Sequence, residues 1–204
     1  MFQSYRIVVA ALVTIAAASA CQSRTPAQSA PNSGKASAIF AGGCFWCTES
    51  DFDHIPGILT TVSGFAGGRL ASPNYEQVSA GGTGAYEAVR VTYDPRRISY
   101  AQLVARFLPT VDAVDGGGQF CDRGDSYRPA IFVANPAERR IAEAALAAAS
   151  KRLGQKTAVA VLPASRFTPA ETYHQDYYKK NPVKYKFYRW NCGRDQRLKQ
   201  LWQR

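Results

Sequence analysis

The stretch around residues 37–49 constrains this chain more than any other. An apolar run, Ser37-Ala38-Ile39-Phe40-Ala41, meets Gly42-Gly43, and a helical pattern starts at once in Cys44-Phe45-Trp46-Cys47-Thr48-Glu49. A strand, a two-glycine turn and an immediate helix commit the chain to packing helix against sheet. The same junction puts Cys44 on the first helical turn, where unpaired N–H groups and the positive dipole end favour an anion. A cysteine so placed is expected to be partly thiolate near neutrality, and therefore a usable nucleophile. Phe45 and Trp46 then read as the walls of an apolar cup around that sulfur. The alternative is a small buried cysteine among core rings.

Beyond this junction the apolar segments follow in a definite order. The first helix is expected to run from Cys44 to about His54 and to end at Pro56-Gly57, with a strand over residues 58–65 after it. Residues 66–84 read as a long binding loop holding Pro73-Asn74-Tyr75 and Gly81-Gly82-Thr83-Gly84. Alternation predicts a strand over residues 86–93. Ser99-Tyr100-Ala101-Gln102 is a capping-box pattern opening a helix to Leu108. A Gly-rich loop (116–124) leads to a strand at 130–134. Asn135, Pro136 and Glu138 supply N-cap, N1 proline and N3 acid for a helix to Leu153-Gly154. A last strand is expected at 156–162, and the remainder is aromatic, basic and poorly periodic. The order βαββαβ with extras predicts an α+β fold, a two-layer sandwich with a ferredoxin-like (split βαβ) core and a long irregular C-terminal tail.

The first 20 residues read as a signal peptide. Arg6 gives the positive start, residues 7–18 the apolar segment and Ala18-Ser19-Ala20 the small-residue cleavage site. The apolar segment is too short for a comfortable membrane span. Export follows, to a periplasmic or lipid-anchored location. Cys21 stands where a bacterial lipoprotein carries its acylated cysteine, which would make a membrane tether. Ala18 replaces the leucine usual three residues earlier, so cleavage by an ordinary signal peptidase stays open. Residues 21–36 read as a flexible tether and 37–204 as one catalytic domain. Of 204 residues, 46% are hydrophobic and 20% charged, enough for one core. The net charge is +10, and from Lys179 to Arg204 nine Lys or Arg face only Asp195. With Tyr177, Tyr178, Tyr185, Phe187, Tyr188 and Trp190 interleaved and no reader motif, this is a solvated basic face over aromatics, and no nucleic-acid partner is expected.

Export places Cys44, Cys47, Cys121 and Cys192 in an oxidising compartment, where three complete pairings are open. The only methionine is Met1, so the mature chain contains none. Thiolate chemistry needs a proton source. Glu87 shares one strand face with Val89 and Val91, so its carboxyl is expected to be desolvated and neutral, as a general acid requires. Tyr75 and Tyr127 are further donors, and Asp122 could orient donors. His54 reads as a helix cap and His174 as a hydrogen-bonded structural residue rather than a base.

Several segments together resemble the A-type peptide-methionine sulfoxide reductases. They are Gly43-Cys44-Phe45-Trp46 with Glu49, Ser63-Gly64-Phe65-Ala66-Gly67-Gly68, Pro73-Asn74-Tyr75-Glu76-Gln77-Val78, Thr83-Gly84-Ala85-Tyr86-Glu87, Asp122 through Tyr127-Arg128, and Tyr173-His174-Gln175-Asp176-Tyr177. They lie in the family's order. The resemblance implies reduction of the S epimer of methionine sulfoxide, free or in oxidised proteins. It implies Cys44 as attacking cysteine, Phe45 and Trp46 as the rings holding the substrate methyl group, and Glu87 as the acid. Tyr75 and Tyr127 would assist with Asp122 in support. It further implies no bound cofactor or metal, a cysteine sulfenic acid, an intramolecular disulfide, and recycling by an external thioredoxin-like thiol reductant. Cys192 resembles the family's C-terminal resolving cysteine, with Cys121 and Cys47 as alternatives. Two departures stand out: Ala85-Tyr86 where the family often has His-Ala, and Cys47 where it often has Gly. A monomer is expected.

Three rivals remain at this point. Cys44-Phe45-Trp46-Cys47 at a helix start also suits a thioredoxin-like thiol–disulfide oxidoreductase using Cys44 and Cys47. A zinc site lacks its second C-x-x-C or His pair. A non-enzymatic basic lipoprotein would keep its function without Cys44.

Overall fold

Strand register decides which face of the sheet Glu87 joins. The computed structural model describes Met1 and residues 34–203; residues 2–20 of the expected signal peptide, Cys21 and residues 22–33 of the expected tether lie outside them. Strand β1 (Ala36–Gly42) takes in the last residue assigned to the tether and leads through Gly43 and Cys44 to α1 (Phe45–Asp53). Strand β2 (Ile58–Gly67) follows, then the short α2 (Tyr75–Ser79) and β3 (Ala85–Tyr93). Helix α3 (Tyr100–Phe107) starts at the expected Ser99–Gln102 capping box. A two-stranded ribbon, β4 (Gly118–Gln119) and β5 (Asp122–Arg123), lies inside the Gly-rich segment. Strand β6 (Pro129–Val133) feeds α4 (Pro136–Leu153), capped by Asn135 at one end and by Gly154 in the left-handed region at the other. The chain continues through β7 (Ala160–Pro163) and β8 (Phe167–Pro169).

The main sheet has the order β7-β6-β1-β3-β2-β8. β1 is antiparallel to both β3 and β6, β2 is antiparallel to β3 and β8, and β6 runs parallel to β7. Period-2 alternation separates two apolar sets. On one face Phe40, Phe65, Val89, Val91 and Ile131 pack with Phe45 and Phe52 of α1, Leu103, Val104 and Phe107 of α3, and Leu146 of α4. Burying each such large side chain contributes about 1.5–3 kcal/mol. The other face is a smaller set, Ala41, Ala66, Ala88 and Ala130 with the edge-to-face rings of Tyr86 and Phe132. Glu87 continues the helix-facing row of Val89 and Val91 and opposes Phe65 across the ladder, only 2% exposed.

The C-terminal segment corrects the expected irregular tail. It folds into α5 (Tyr177–Lys180), α6 (Pro182–Asn191) and α7 (Arg194–Trp202). Asp176 and Gly193, both at positive φ, break it into these pieces, and Pro182 starts α6 at N1. Trp202 and Leu201 sit in the main core, and the Trp202 indole N–H donates to the Val111 carbonyl at 3.0 Å. The segment is a packed cover rather than a loose end. Among the described residues no helix is long and apolar enough to cross a membrane.

Candidate active site

Gly42 and Gly43 form the turn because side chains would not fit. A Cβ on Gly43, whose φ is +81°, would stand 2.5 Å from Gln119 Cβ, and one on Gly42 would stand 2.7 Å from Thr48 Oγ1. The Arg194 guanidinium, 2% exposed, holds the turn from below by donating to the Gly42 carbonyl at 3.3 Å and to the Thr110 carbonyl at 2.6 Å. Cys44 lands one position earlier than expected, as the N-cap of α1 rather than in its first turn. Its carbonyl accepts from the Cys47 and Thr48 N–H groups. The next free donor, the Phe45 N–H, gives its hydrogen bond to Glu87 Oε2 at 3.0 Å. The acceptor that takes this helix-start donor is therefore the carboxyl of Glu87, not the sulfur of Cys44.

The expected ionisation of Cys44 is corrected by its burial. Burial holds the Cys44 thiol well above its ordinary pKa, and the neighbouring Cys47, Glu87 and Asp122 add to the rise. Cys47 moves the other way, down to about 7, through its hydrogen bond with Cys44 and the nearby Arg194 and Arg189 guanidinium groups. The negative charge of the cysteine pair is thus favoured on Cys47, with Cys44 as its protonated partner. Glu87 behaves as expected. Burial pushes it up to about 8, against the Phe45 N–H and Tyr127, which favour the carboxylate. At neutral pH it carries a proton. Tyr75 and Tyr127 are both raised, chiefly by burial and then by the charge of Glu87, and remain donors. Asp122 is raised by burial and accepts a hydrogen bond from the Tyr188 hydroxyl.

These groups converge on one small cavity of about 90 Å³, lined by Cys44, Phe45, Trp46, Tyr75, Glu87, Asp122, Tyr127 and Tyr188. Two wider hollows, of about 440 Å³ at Asp53 and Lys179 and about 510 Å³ at Pro109 and Trp202, are lined by no cysteine. Asn74 places Tyr75 by capping α2, with a reciprocal capping box to Gln77. Glu171 adds an acceptor for the Tyr75 N–H at 2.9 Å. Trp46 is fixed twice. Its ring stacks on Tyr177 with centroids 3.7 Å apart, and its indole N–H donates to His174 Nδ1 at 3.0 Å. His174 is 1% exposed, and burial lowers its pKa, so it accepts as a neutral ring. The expected structural role for His174 matches this contact. His54 caps α1, with its ring nitrogen 2.7 Å from the Ser50 carbonyl.

The cysteines divide into two pairs. Cys121 and Cys192, 71 residues apart in sequence, form a disulfide, while Cys44 and Cys47 are free and buried. Cys192 is therefore bonded to Cys121 and not to Cys44. The bridge lies beside the cavity, because its sulfurs and an Asp122 carboxylate oxygen all fall within 4.8 Å of one another. Tyr188 is the one lining residue that sequence reasoning did not pick out. It stands four residues before Cys192, one helical turn, and that spacing was the available signal. Arg194 was also missed, and an isolated arginine in a basic tail carried no such signal.

Comparison with known proteins finds relatives that match most of the chain. The family model described as peptide methionine sulfoxide reductase matches residues 36–204. The peptide methionine sulfoxide reductase MsrA 2 of Caulobacter vibrioides is 51% identical over 193 residues, covering 94% of this chain and 97% of that protein. The MsrA of Bacillus licheniformis is 46% identical over 173 residues, covering 82% and 93% of the two chains. Among solved structures, methionine sulfoxide reductase A of Corynebacterium diphtheriae superposes with a TM-score of 0.67 at 31% identity, covering 74% of this chain and 76% of that one. A Saccharomyces cerevisiae protein crystallised in reduced form gives 0.70 at 29% identity, covering 73% and 87%. With the family model matching nearly all of the described residues and a relative 51% identical across 94% of its length, the chain belongs to the peptide methionine sulfoxide reductase family.

Proposed function

We propose that this chain reduces the S epimer of methionine sulfoxide, free or in oxidised proteins, with Cys44 as nucleophile and Glu87 as acid. The observation that carries the reading is Glu87 itself: a protonated carboxyl, buried on a strand face and bonded to the helix turn that presents Cys44. The substrate methyl group rests against Phe45 and Trp46, and the sulfoxide oxygen faces Glu87, Tyr75 and Tyr127. Cys44 passes its proton to Cys47, and its sulfur attacks the sulfoxide sulfur while Glu87 protonates the oxygen. The hydroxyl then moves from the substrate sulfur to the Cys44 sulfur as the transient sulfur–sulfur bond and the substrate sulfur–oxygen bond break, so methionine leaves reduced and Cys44 holds a sulfenic acid. Cys192 then attacks the Cys44 sulfur and water leaves. Cys121 attacks Cys192 in turn, freeing Cys44 and forming the Cys121–Cys192 bridge. An external thioredoxin-like dithiol reduces that bridge by exchange, so no bound cofactor is needed.

The hydrogen-bonded contact of Cys44 with Cys47 favours a second route, in which Cys47 condenses directly with the sulfenic acid. A C-x-x-C oxidoreductase without sulfoxide chemistry is disfavoured, because it has no use for Glu87, Tyr75 and Tyr127 at the same cavity. The strands β6-β1-β3-β2 with α1 and α3 support a split βαβ core, the ferredoxin-like reading. The sequence of residues 1–20 supports export, to a periplasmic location or one tethered through an acylated Cys21. The test is an assay of residues 22–204 with dithiothreitol on each sulfoxide epimer. Turnover of the S epimer at least about a hundredfold faster than the R epimer is expected. Equal rates, or none on either, would refute the reading.

A further inference from the structure

Helix α6 carries an apolar stripe that faces solvent. Val183, Phe187 and Trp190 are 80%, 64% and 74% exposed. Spaced i, i+4 and i+7, they fall on one face of the helix, and the Phe187 and Trp190 ring centroids lie 6.1 Å apart. Fraying does not explain their exposure, because the opposite face is well anchored. Tyr185 is buried there, Tyr188 bonds Asp122, and Arg189 bonds Asp51 at 2.8 Å. A contiguous exposed apolar patch on a monomer marks an interaction site. Lys184 and Lys186 stand exposed along its edge and form no ion pair among the described residues. Beside Trp190 a hollow of about 230 Å³ opens between Lys186, Gly193 and Gln196.

The stripe leads to the redox centre. The residue that caps α6 is Cys192, half-buried and bonded to the exposed Cys121. We propose that Val183, Phe187 and Trp190, with Lys184 and Lys186 at the edge, form the docking surface for the dithiol protein that reduces the Cys121–Cys192 bridge. This rests on the proposed function and goes beyond it by naming where the reductant sits. The partner's chemistry follows from the surface: an apolar rim around its attacking cysteine, with acidic side chains outside that rim. This basic C-terminal segment, nine Lys or Arg against one Asp from Lys179 to Arg204, favours such a partner. A docked partner thiolate attacks the exposed Cys121 sulfur, and Cys192 leaves as thiolate. The partner's second thiol then attacks the mixed disulfide, releasing Cys121 and leaving the partner oxidised. Two electrons pass inward, and the free thiols return to the resolving steps.

The probe is thioredoxin, regenerated by NADPH and thioredoxin reductase, with dithiothreitol as the small reductant in parallel. The variant Val183→Ser/Phe187→Ser/Trp190→Ser should raise the KM for thioredoxin at least tenfold while turnover with dithiothreitol and the KM for methionine S-sulfoxide stay unchanged. Lys184→Glu/Lys186→Glu should raise the thioredoxin KM several-fold, an effect that shrinks as salt rises. The unchanged dithiothreitol rate shows that the variants fold, and Phe187→Ser alone serves should the triple variant not fold. An unchanged thioredoxin KM, a wild-type chain turned over by dithiothreitol but not by thioredoxin, or a rise confined to the KM for an oxidised protein substrate would overturn the proposal. A loss confined to binding of anionic vesicles would overturn it too. No turnover of the wild type with dithiothreitol would instead refute the proposed function.

Discussion

Replacing Cys44 with Ser is expected to lower methionine sulfoxide reduction by about 10⁴-fold or more, the scale seen when a covalent nucleophile is removed. The reason is chemical. A serine hydroxyl in the same cavity cannot pass its proton to Cys47, and oxygen cannot form the sulfenic acid that later exchange requires. The side chain is nearly isosteric, and the turn is held by Arg194 and by the Phe45–Glu87 hydrogen bond, so fold and substrate affinity should persist. Steady-state rates with dithiothreitol measure the loss, and equilibrium binding of a sulfoxide peptide measures what remains. The companion Cys47→Ser separates this account from a C-x-x-C oxidoreductase. Here it should lower the rate by about 10²-fold, the worth of the proton acceptor for Cys44, with Glu87→Gln impaired as well. Loss as complete as in Cys44→Ser, with Glu87→Gln fully active, would favour the oxidoreductase.

Glu87→Gln should lower kcat/KM by about 10² to 10⁴, the usual worth of a positioned general acid. The amide still fits the strand face and accepts from the Phe45 N–H, so only the transferable proton is lost. The wild-type rate should fall as pH rises through about 8, where the carboxyl ionises, and this limb should vanish in the variant. Wild-type stability should fall with rising pH as well. The folded-state pKa is raised from 4.5 to about 8, so the fold favours the protonated form. That contribution is fully present below about 4.5 and is lost as pH rises through about 8. Gln has no proton to lose. Thermal melts should therefore show Glu87→Gln gaining on the wild type between pH 6 and pH 9, a stable but inactive protein.

Local rules read from the residues account for the parts of the molecule that depend on near neighbours. The Ser99 and Asn135 caps, the turn at Gly42-Gly43 and the inward face of Glu87, Val89 and Val91 all follow from spacing over a few positions. The same logic applied to Asn74 and Gln77 would have found α2, but five residues are too few for a periodic signal. The C-terminal helices were illegible for another reason. Tyr, Lys and Arg bury stems and rings while keeping polar tips in water, so Tyr185, Tyr188 and Arg189 blur the contrast between faces. The ionisation of Cys44 is not legible locally because it depends first on burial by distant parts of the chain and then on the groups they bring near. The helix start is visible in sequence, whereas the carboxyl that takes its Phe45 N–H comes from 42 residues away. The Cys121–Cys192 pairing spans 71 residues, and counting cysteines leaves three choices.

The most direct test of the account is a single turnover followed by mass mapping. Fully reduced protein is mixed with one equivalent of a peptide containing methionine S-sulfoxide, quenched with a thiol-blocking reagent and digested. One reduced peptide per chain and a Cys121–Cys192 bridge are expected. In the Cys121→Ser/Cys192→Ser variant one oxygen atom should stay on Cys44, or a Cys44–Cys47 bridge should form if the second route operates. An unreduced peptide, or a bridge that forms equally well in Cys44→Ser, would contradict this mechanism.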